Sequence, residues 1–203
     1  MIASRLTILS CVLGKEVSLD LSPGKISPGA FRRLLHRIHE EAGKNDASTG
    51  YTGIHDLIAD LEFESTLRLV DIPALSDTTE TKELTHNELG IPDYARDIFR
   101  WLRKKGVRDI VEVRVADSYS KPHSEELIID ALKEFDVEIL DWRRTDLSVD
   151  AILEAAANVK TLYLYSSGNW SALGHWISPD GVQKLPKVTI FQTHVETTDQ
   201  FFI

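Results

Sequence analysis

The strongest constraint on this fold is a spacing that recurs four times in the second half of the chain. Apolar residues stand first, fourth and sixth in each copy, and a small hydroxyl residue stands ninth. The copies are Ile110, Val113, Val115, Ser118; Val137, Leu140, Trp142, Thr145; Val159, Leu162, Leu164, Ser167; and Leu185, Val188, Ile190, Thr193. They begin 27, 22 and 26 residues apart, a period that marks stacked strand-plus-helix units. In a strand, residues two apart share a face. Val113/Val115, Leu140/Trp142, Leu162/Leu164 and Val188/Ile190 are therefore predicted to point together into a core.

Helices are expected between these strands. Ser124 suits an N-cap for a helix with Leu127, Ile128, Ala131, Leu132 and Phe135 inward. Ser148 suits a second cap, with Val149, Ile152, Leu153 and Ala156 inward. Strand, helix, strand in that order requires parallel pairing through a right-handed crossover. The predicted fold is α/β, a leucine-rich-repeat-like parallel sheet of βα units behind a mainly helical N-terminal segment. An open doubly wound sheet is the alternative. The ninth position favours the repeat array, because an inward Ser or Thr there would bond backbone groups that the turn leaves unpaired.

Upstream, Leu6–Val12, Val17–Leu21 and Thr66–Ile72 read as strands, the last closed by Pro73. Ser27 before Pro28 opens a helix that runs to about Ala42, with Phe31, Leu34, Leu35 and Ile38 as its apolar stripe. Ile54, Leu57, Ile58 and Leu61 mark a short helix, and Pro92 opens another with Ala95, Ile98, Trp101 and Leu102 inward. The expected organisation is an N-terminal α/β segment over 1–73, a linker over 74–91 and the βα-repeat region over 92–203.

Composition narrows the function. The net charge of −9 disfavours broad phosphate-backbone binding, so no nucleic-acid partner is expected. The basic cluster of Arg100, Arg103, Lys104, Lys105 and Arg108 ends a predicted helix, where cations complement the dipole. A single cysteine, Cys11, allows no intrachain disulfide and favours a reducing, cytoplasmic setting. No apolar run approaches the roughly 18 residues of a membrane span, so no membrane partner is expected.

The stretches Ile54–Val70, Leu140–Ser148 and Leu164–Trp170 resemble the non-catalytic region upstream of the protease domain in fungal intracellular subtilisin-like proteins, over about Leu6 to Val195. That resemblance implies an accessory region. The catalytic motifs of such enzymes are missing: none of the seven histidines precedes a glycine, there is no Gly-Thr-Ser, and Asp180-Gly181 lacks the intervening residue. The chain ends at Gln200–Ile203 shortly after its fourth repeat strand, and this apolar end is expected to mark either a truncated or spliced product or a surface that meets a partner.

The remaining constellations carry little chemistry. His36, His39 and Glu40 share a helical turn, but His36 falls opposite the apolar stripe, and a solvated face is expected rather than a metal site. His55-Asp56 need not face each other on a helix. Ser48–Gly53 lacks the Gly-Lys-Ser/Thr ending of a phosphate loop. Trp142 and Trp176 read as core. No catalytic residue, metal ligand or cofactor is assigned. The outward strand face is the expected binding surface, with Arg114, Asp141, Arg143, Tyr163, Tyr165 and Phe191 as its partner-binding patch. The expected function is a protein-interaction or regulatory module whose partner is another protein or a missing domain of the same parent. The alternatives are a fragment of a serine endopeptidase, or a small-molecule enzyme on an open sheet with its site near Asp117 and Ser166.

Overall fold

A computed structural model describes residues 10–11, 16–43, 63–74, 93–118 and 121–195. The elements in chain order are β1 (Ser10–Cys11), β2 (Glu16–Asp20), α1 (Pro28–Gly43), β3 (Thr66–Ile72), α2 (Tyr94–Lys104), β4 (Asp109–Val115), α3 (Glu125–Leu132), β5 (Asp136–Thr145), α4 (Val149–Ala155), β6 (Thr161–Ser166), α5 (Trp170–Ile177) and β7 (Ile190–Val195). The architecture is α/β. Strands β2 to β7 form a six-strand parallel sheet in sequence order, and β1 pairs antiparallel with β2 at one edge.

The apolar spacing explains the strands. Ile110, Val113 and Val115 of β4 are fully buried, as are Val137, Leu140 and Trp142 of β5, and Val159, Leu162 and Leu164 at β6. The step of three, then two, turns the first apolar residue inward at the strand entry and the next two inward along the pleat. Leu67, Val70 and Ile72 of β3 repeat the same spacing and are equally buried, in register with β4. The array therefore starts one strand earlier than Ile110. Residues ahead of 74 supply α1 and two of the parallel strands, and β3 pairs with β4 across the expected linker. Residues 75–92, most of that linker, lie outside the described residues, as do the expected helix at Ile54–Leu61, the loop Ser48–Gly53, His55 and most of Leu6–Val12.

The fourth copy of the spacing is displaced. Leu162 pairs with Phe191 and Leu164 with Thr193, so β7 enters the sheet three residues later than Val188 and Ile190 would place it. The cause is the connection: α5 is followed by a single 3₁₀ turn at Val182–Lys184, and Leu185 is buried there before the strand begins.

Right-handed crossovers between sequentially ordered parallel strands send every connecting helix to one face. Accordingly α1 packs on α2, α2 on α3 and α3 on α4. Phe31, Leu34, Leu35 and Ile38 of α1, and Ala95, Ile98, Phe99, Trp101 and Leu102 of α2, share one core with the inward strand residues. Ser124 Oγ accepts the Leu127 N–H at 3.2 Å, and Ser148 Oγ accepts the Ala151 N–H at 3.2 Å, so both predicted N-caps form. Gly106, at φ +92°, ends the α2 connection in the left-handed region that only glycine adopts freely. Trp142 and Trp176 are both core residues.

The inward rung of alcohols does not form. Ser167 and Thr193 are exposed, and Ser118 and Thr145 are half-buried. Carboxylates cap the strand ends instead. Asp146, held at φ 56°, accepts the Ser167 N–H at 3.1 Å and the Ser167 hydroxyl, and donates its own N–H to Tyr165 O at 2.7 Å. A carboxylate accepts several N–H groups at once, which one hydroxyl oxygen does less well.

Candidate binding face

The residues that alternate with the buried ones point away from the helices. Pairing links them into one row across the sheet: Asp20 beside Asp71, Asp71 beside Arg114, Arg114 beside Asp141, Asp141 beside Tyr163, and Tyr163 beside Gln192. A second outward row holds Leu69, Glu112, Ile139 and Thr161.

The same device holds both arginines of this face. Glu112 Oε1 accepts from Arg114 Nε at 2.6 Å on β4, and Asp141 Oδ2 accepts from Arg143 Nη2 at 3.2 Å on β5. Each carboxylate stands two residues before its guanidinium, so both lie on one side of the pleat. The arginines are fixed yet open, with side chains 43% and 53% exposed. From the neighbouring strand, Tyr165 donates its hydroxyl to Asp141 Oδ1 at 2.6 Å. Asp141 is thereby buried with both oxygens occupied. Burial first, and then the carboxylate it bonds, push the Tyr165 phenol well above its ordinary range.

Asp71 is less well compensated. Burial and then the like charge of Asp20 raise its carboxyl, while Arg114 and Arg143 pull it partly back. Its side chain makes no hydrogen bond among the described residues.

Arg114, Asp141, Arg143, Tyr163 and Tyr165 therefore share the outward face. Phe191 pairs through its backbone with Leu162, and exposed Gln192 pairs with Tyr163; the Phe191 side chain lies outside what the structure describes. Asp20 and Asp71 were missed, because residues ahead of 74 were not read as part of the same sheet. The signal was present in the alternation of Leu19 with Leu21 and in Leu67-x-x-Val70-x-Ile72.

The carboxyl edge of the sheet carries a second polar cluster. Asp117 accepts the Ser118 N–H at 2.8 Å, the His123 N–H at 3.1 Å and the Trp142 indole N–H at 3.2 Å. His123 Nδ1 lies 3.0 Å from Asp117 Oδ1, an ion-pair distance without the alignment of a hydrogen bond. Burial alone would raise the Asp117 carboxyl; the His123 side chain and the backbone N–H groups overcome it and hold the group below its ordinary value. Tyr94 and Trp142 pack against the imidazole at ring distances of 4.9 and 5.6 Å. The pair is enclosed and its carboxylate is spent on turn bonds. Ser166 is fully buried and similarly occupied, accepting the Gly168 N–H at 3.0 Å and donating to Asp146 at 3.4 Å.

On α1, His36 is exposed, and His39 Nδ1 lies 3.0 Å from Asp97 of α2. Among the described residues no group of three or more His, Cys, Asp or Glu side chains is placed to hold a metal ion. No described helix is long and apolar enough to cross a membrane. No protein-family model, curated protein or solved structure matches this chain.

Proposed function

We propose that this chain is a protein-interaction or regulatory module, a leucine-rich-repeat-like array with no catalysis of its own, that meets its partner through the open sheet face. The observation that carries this reading is the placement of Arg114, Arg143, Tyr163 and Tyr165 side by side opposite the helices. Repeat arrays present such continuous faces to partners. Tyrosine and arginine are the residue types that dominate binding hot spots. The two arginines are already held by Glu112 and Asp141, so less side-chain freedom is lost on association. The partner is another protein, or a further domain of a parent polypeptide of the subtilisin-like kind that the chain resembles.

The test is affinity capture with the full chain, identification of the captured protein by mass spectrometry, and measurement of its affinity for variants. Tyr163→Ala with Arg143→Ala should weaken binding by about tenfold or more while far-ultraviolet circular dichroism stays unchanged. An affinity unaffected by both substitutions, or the lack of any capture that depends on this face, overturns the proposal.

The enclosed Asp117–His123 pair gives the small-molecule enzyme reading little support. Neither group has a free face for a substrate, with side chains 2% and 3% exposed.

A further inference from the structure

The outward face is electrically lopsided. Its central rows hold four carboxylates, Asp20, Asp71, Glu112 and Asp141, against the guanidiniums of Arg114 and Arg143. Glu112 and Asp141 are each matched by an arginine on their own strand. The excess negative charge therefore sits at the β2–β3 side, on Asp20 and Asp71, which stand directly beside each other. Among the described residues Asp20 is bonded only locally, accepting the Ser22 N–H at 3.0 Å and its hydroxyl at 2.5 Å. No cation sits on either carboxylate at ion-pair distance among the described residues. At the other side, on β6 and β7, the row ends in the uncharged pair Tyr163 and Gln192.

We propose that this face takes an extended basic segment of the partner protein, lying across the strands, with a Lys or Arg over Asp20 and Asp71 and flanking side chains over Tyr163 and Tyr165. The proposal rests on reading the face as an interaction surface, and names the partner chemistry it selects. Neighbouring strands are about 4.8 Å apart, so Asp20 to Tyr163 spans roughly 19 Å. An extended segment covers that with about six residues at 3.3 Å each. The order of the row sets the direction of the segment. Its cation meets the unmatched carboxylates, its backbone crosses Arg114, and its apolar or cationic stems rest on the tyrosine rings. An acidic segment would put like charges together at the β2–β3 side. The net charge of −9 also steers a basic partner toward the chain.

The experiment uses fluorescein-labelled alanine-rich octapeptides that carry a Lys-Arg pair, a Glu-Glu pair or a Gln-Gln pair, titrated with the full chain by fluorescence anisotropy. The Lys-Arg peptide should bind about tenfold or more tighter than the Glu-Glu peptide at low salt, and the preference should shrink as salt is raised. Asp20→Asn with Asp71→Asn should remove most of that preference. Asp130→Asn with Asp150→Asn removes the same charge from the helix side, and should change it by less than about twofold. No binding by any peptide, equal binding of the three, or an equal effect of the control pair overturns the basic segment. If partner capture fails with the Tyr163 and Arg143 variants but ignores Asp20 and Asp71, the basic segment falls and the interaction face stands. Capture that ignores all four removes the face itself.

Discussion

Tyr165 on β6 gives its hydroxyl proton to Asp141 on β5 across 2.6 Å, while Arg143 bonds the other oxygen of the same carboxylate. The carboxylate is buried, so each bond replaces a water contact that it can no longer make. Tyr165→Phe keeps the ring and removes the bond, and should cost about 1.5–3 kcal/mol in urea unfolding at neutral pH. The phenol is raised in the folded chain. Its contribution is therefore full below the unfolded tyrosine value, about 10, and is lost as pH climbs from there toward the folded value. The phenylalanine variant should lack that alkaline loss. Equal alkaline slopes for the two proteins would contradict it.

Asp71 has the opposite linkage to an ordinary carboxylate. Burial, then Asp20, raise its folded value above 3.8. The unfolded chain then releases the proton first, and stability falls as pH rises from the unfolded to the folded value. Above that window the charge is a standing cost. Asp71→Asn should leave the chain as stable as the parent near pH 3 and more stable at pH 7. Urea midpoints at the two pH values measure the difference, and a variant less stable at pH 7 would refute it. A half-buried residue that weakens its own fold while lying in the outward row fits a role in binding.

Asp117 works the other way. Its folded value is lowered, so its contribution is present above the unfolded carboxyl range and is lost as pH falls through the folded value. Asp117→Ala would strand the Trp142 indole N–H and the His123 backbone N–H in the interior. Stranding buried donors costs about 1–3 kcal/mol each, so a loss of roughly 3 kcal/mol or more is expected. Asp117→Asn retains one acceptor and should lose less. Tryptophan fluorescence during urea unfolding reads both.

The sheet was legible because its inward residues are large, apolar and evenly spaced. Val113, Leu140 and Leu162 mark the core wherever the connection is an ordinary helix with a serine cap, as at Ser124 and Ser148. The spacing failed at β7, where a 3₁₀ turn and buried Leu185 shifted the strand entry by three residues. Leu67, Val70 and Ile72 carry the same spacing as the later copies, but stand 43 residues ahead of Ile110. A gap outside the period hid them, and with them Asp71. The pairing of Asp141 with Tyr165 depends on register between strands, which no single strand encodes. Ser118, Thr145, Ser167 and Thr193 look alike in sequence, yet the neighbouring Asp117 and Asp146 take most of the backbone N–H groups, with Ser118 Oγ accepting that of Lys121 at 3.4 Å, because a carboxylate reaches more donors than a hydroxyl.

Gly181 gives the sharpest test of the β6–β7 connection. It follows α5 and is buried where the chain folds back over the end of that helix. A Cβ built there would collide with the main-chain oxygens of His175 and Trp176. The helix end has little freedom to retreat, because Trp176 is buried and its indole N–H donates to Leu147 O at 2.9 Å. Gly181 N–H also donates to Ser178 O at 2.9 Å, which holds the turn closed. The added methyl meets backbone rather than a side chain that could swing aside. Gly181→Ala should therefore destabilise the chain by about 2–4 kcal/mol, an overpacking cost with backbone displacement. Exposed Gly174, with open space around its Cα, should accept alanine with little change or a small gain, since it lies inside a helix. Urea unfolding of the two variants side by side decides it, and a Gly181→Ala protein as stable as the parent would show that the turn packs differently.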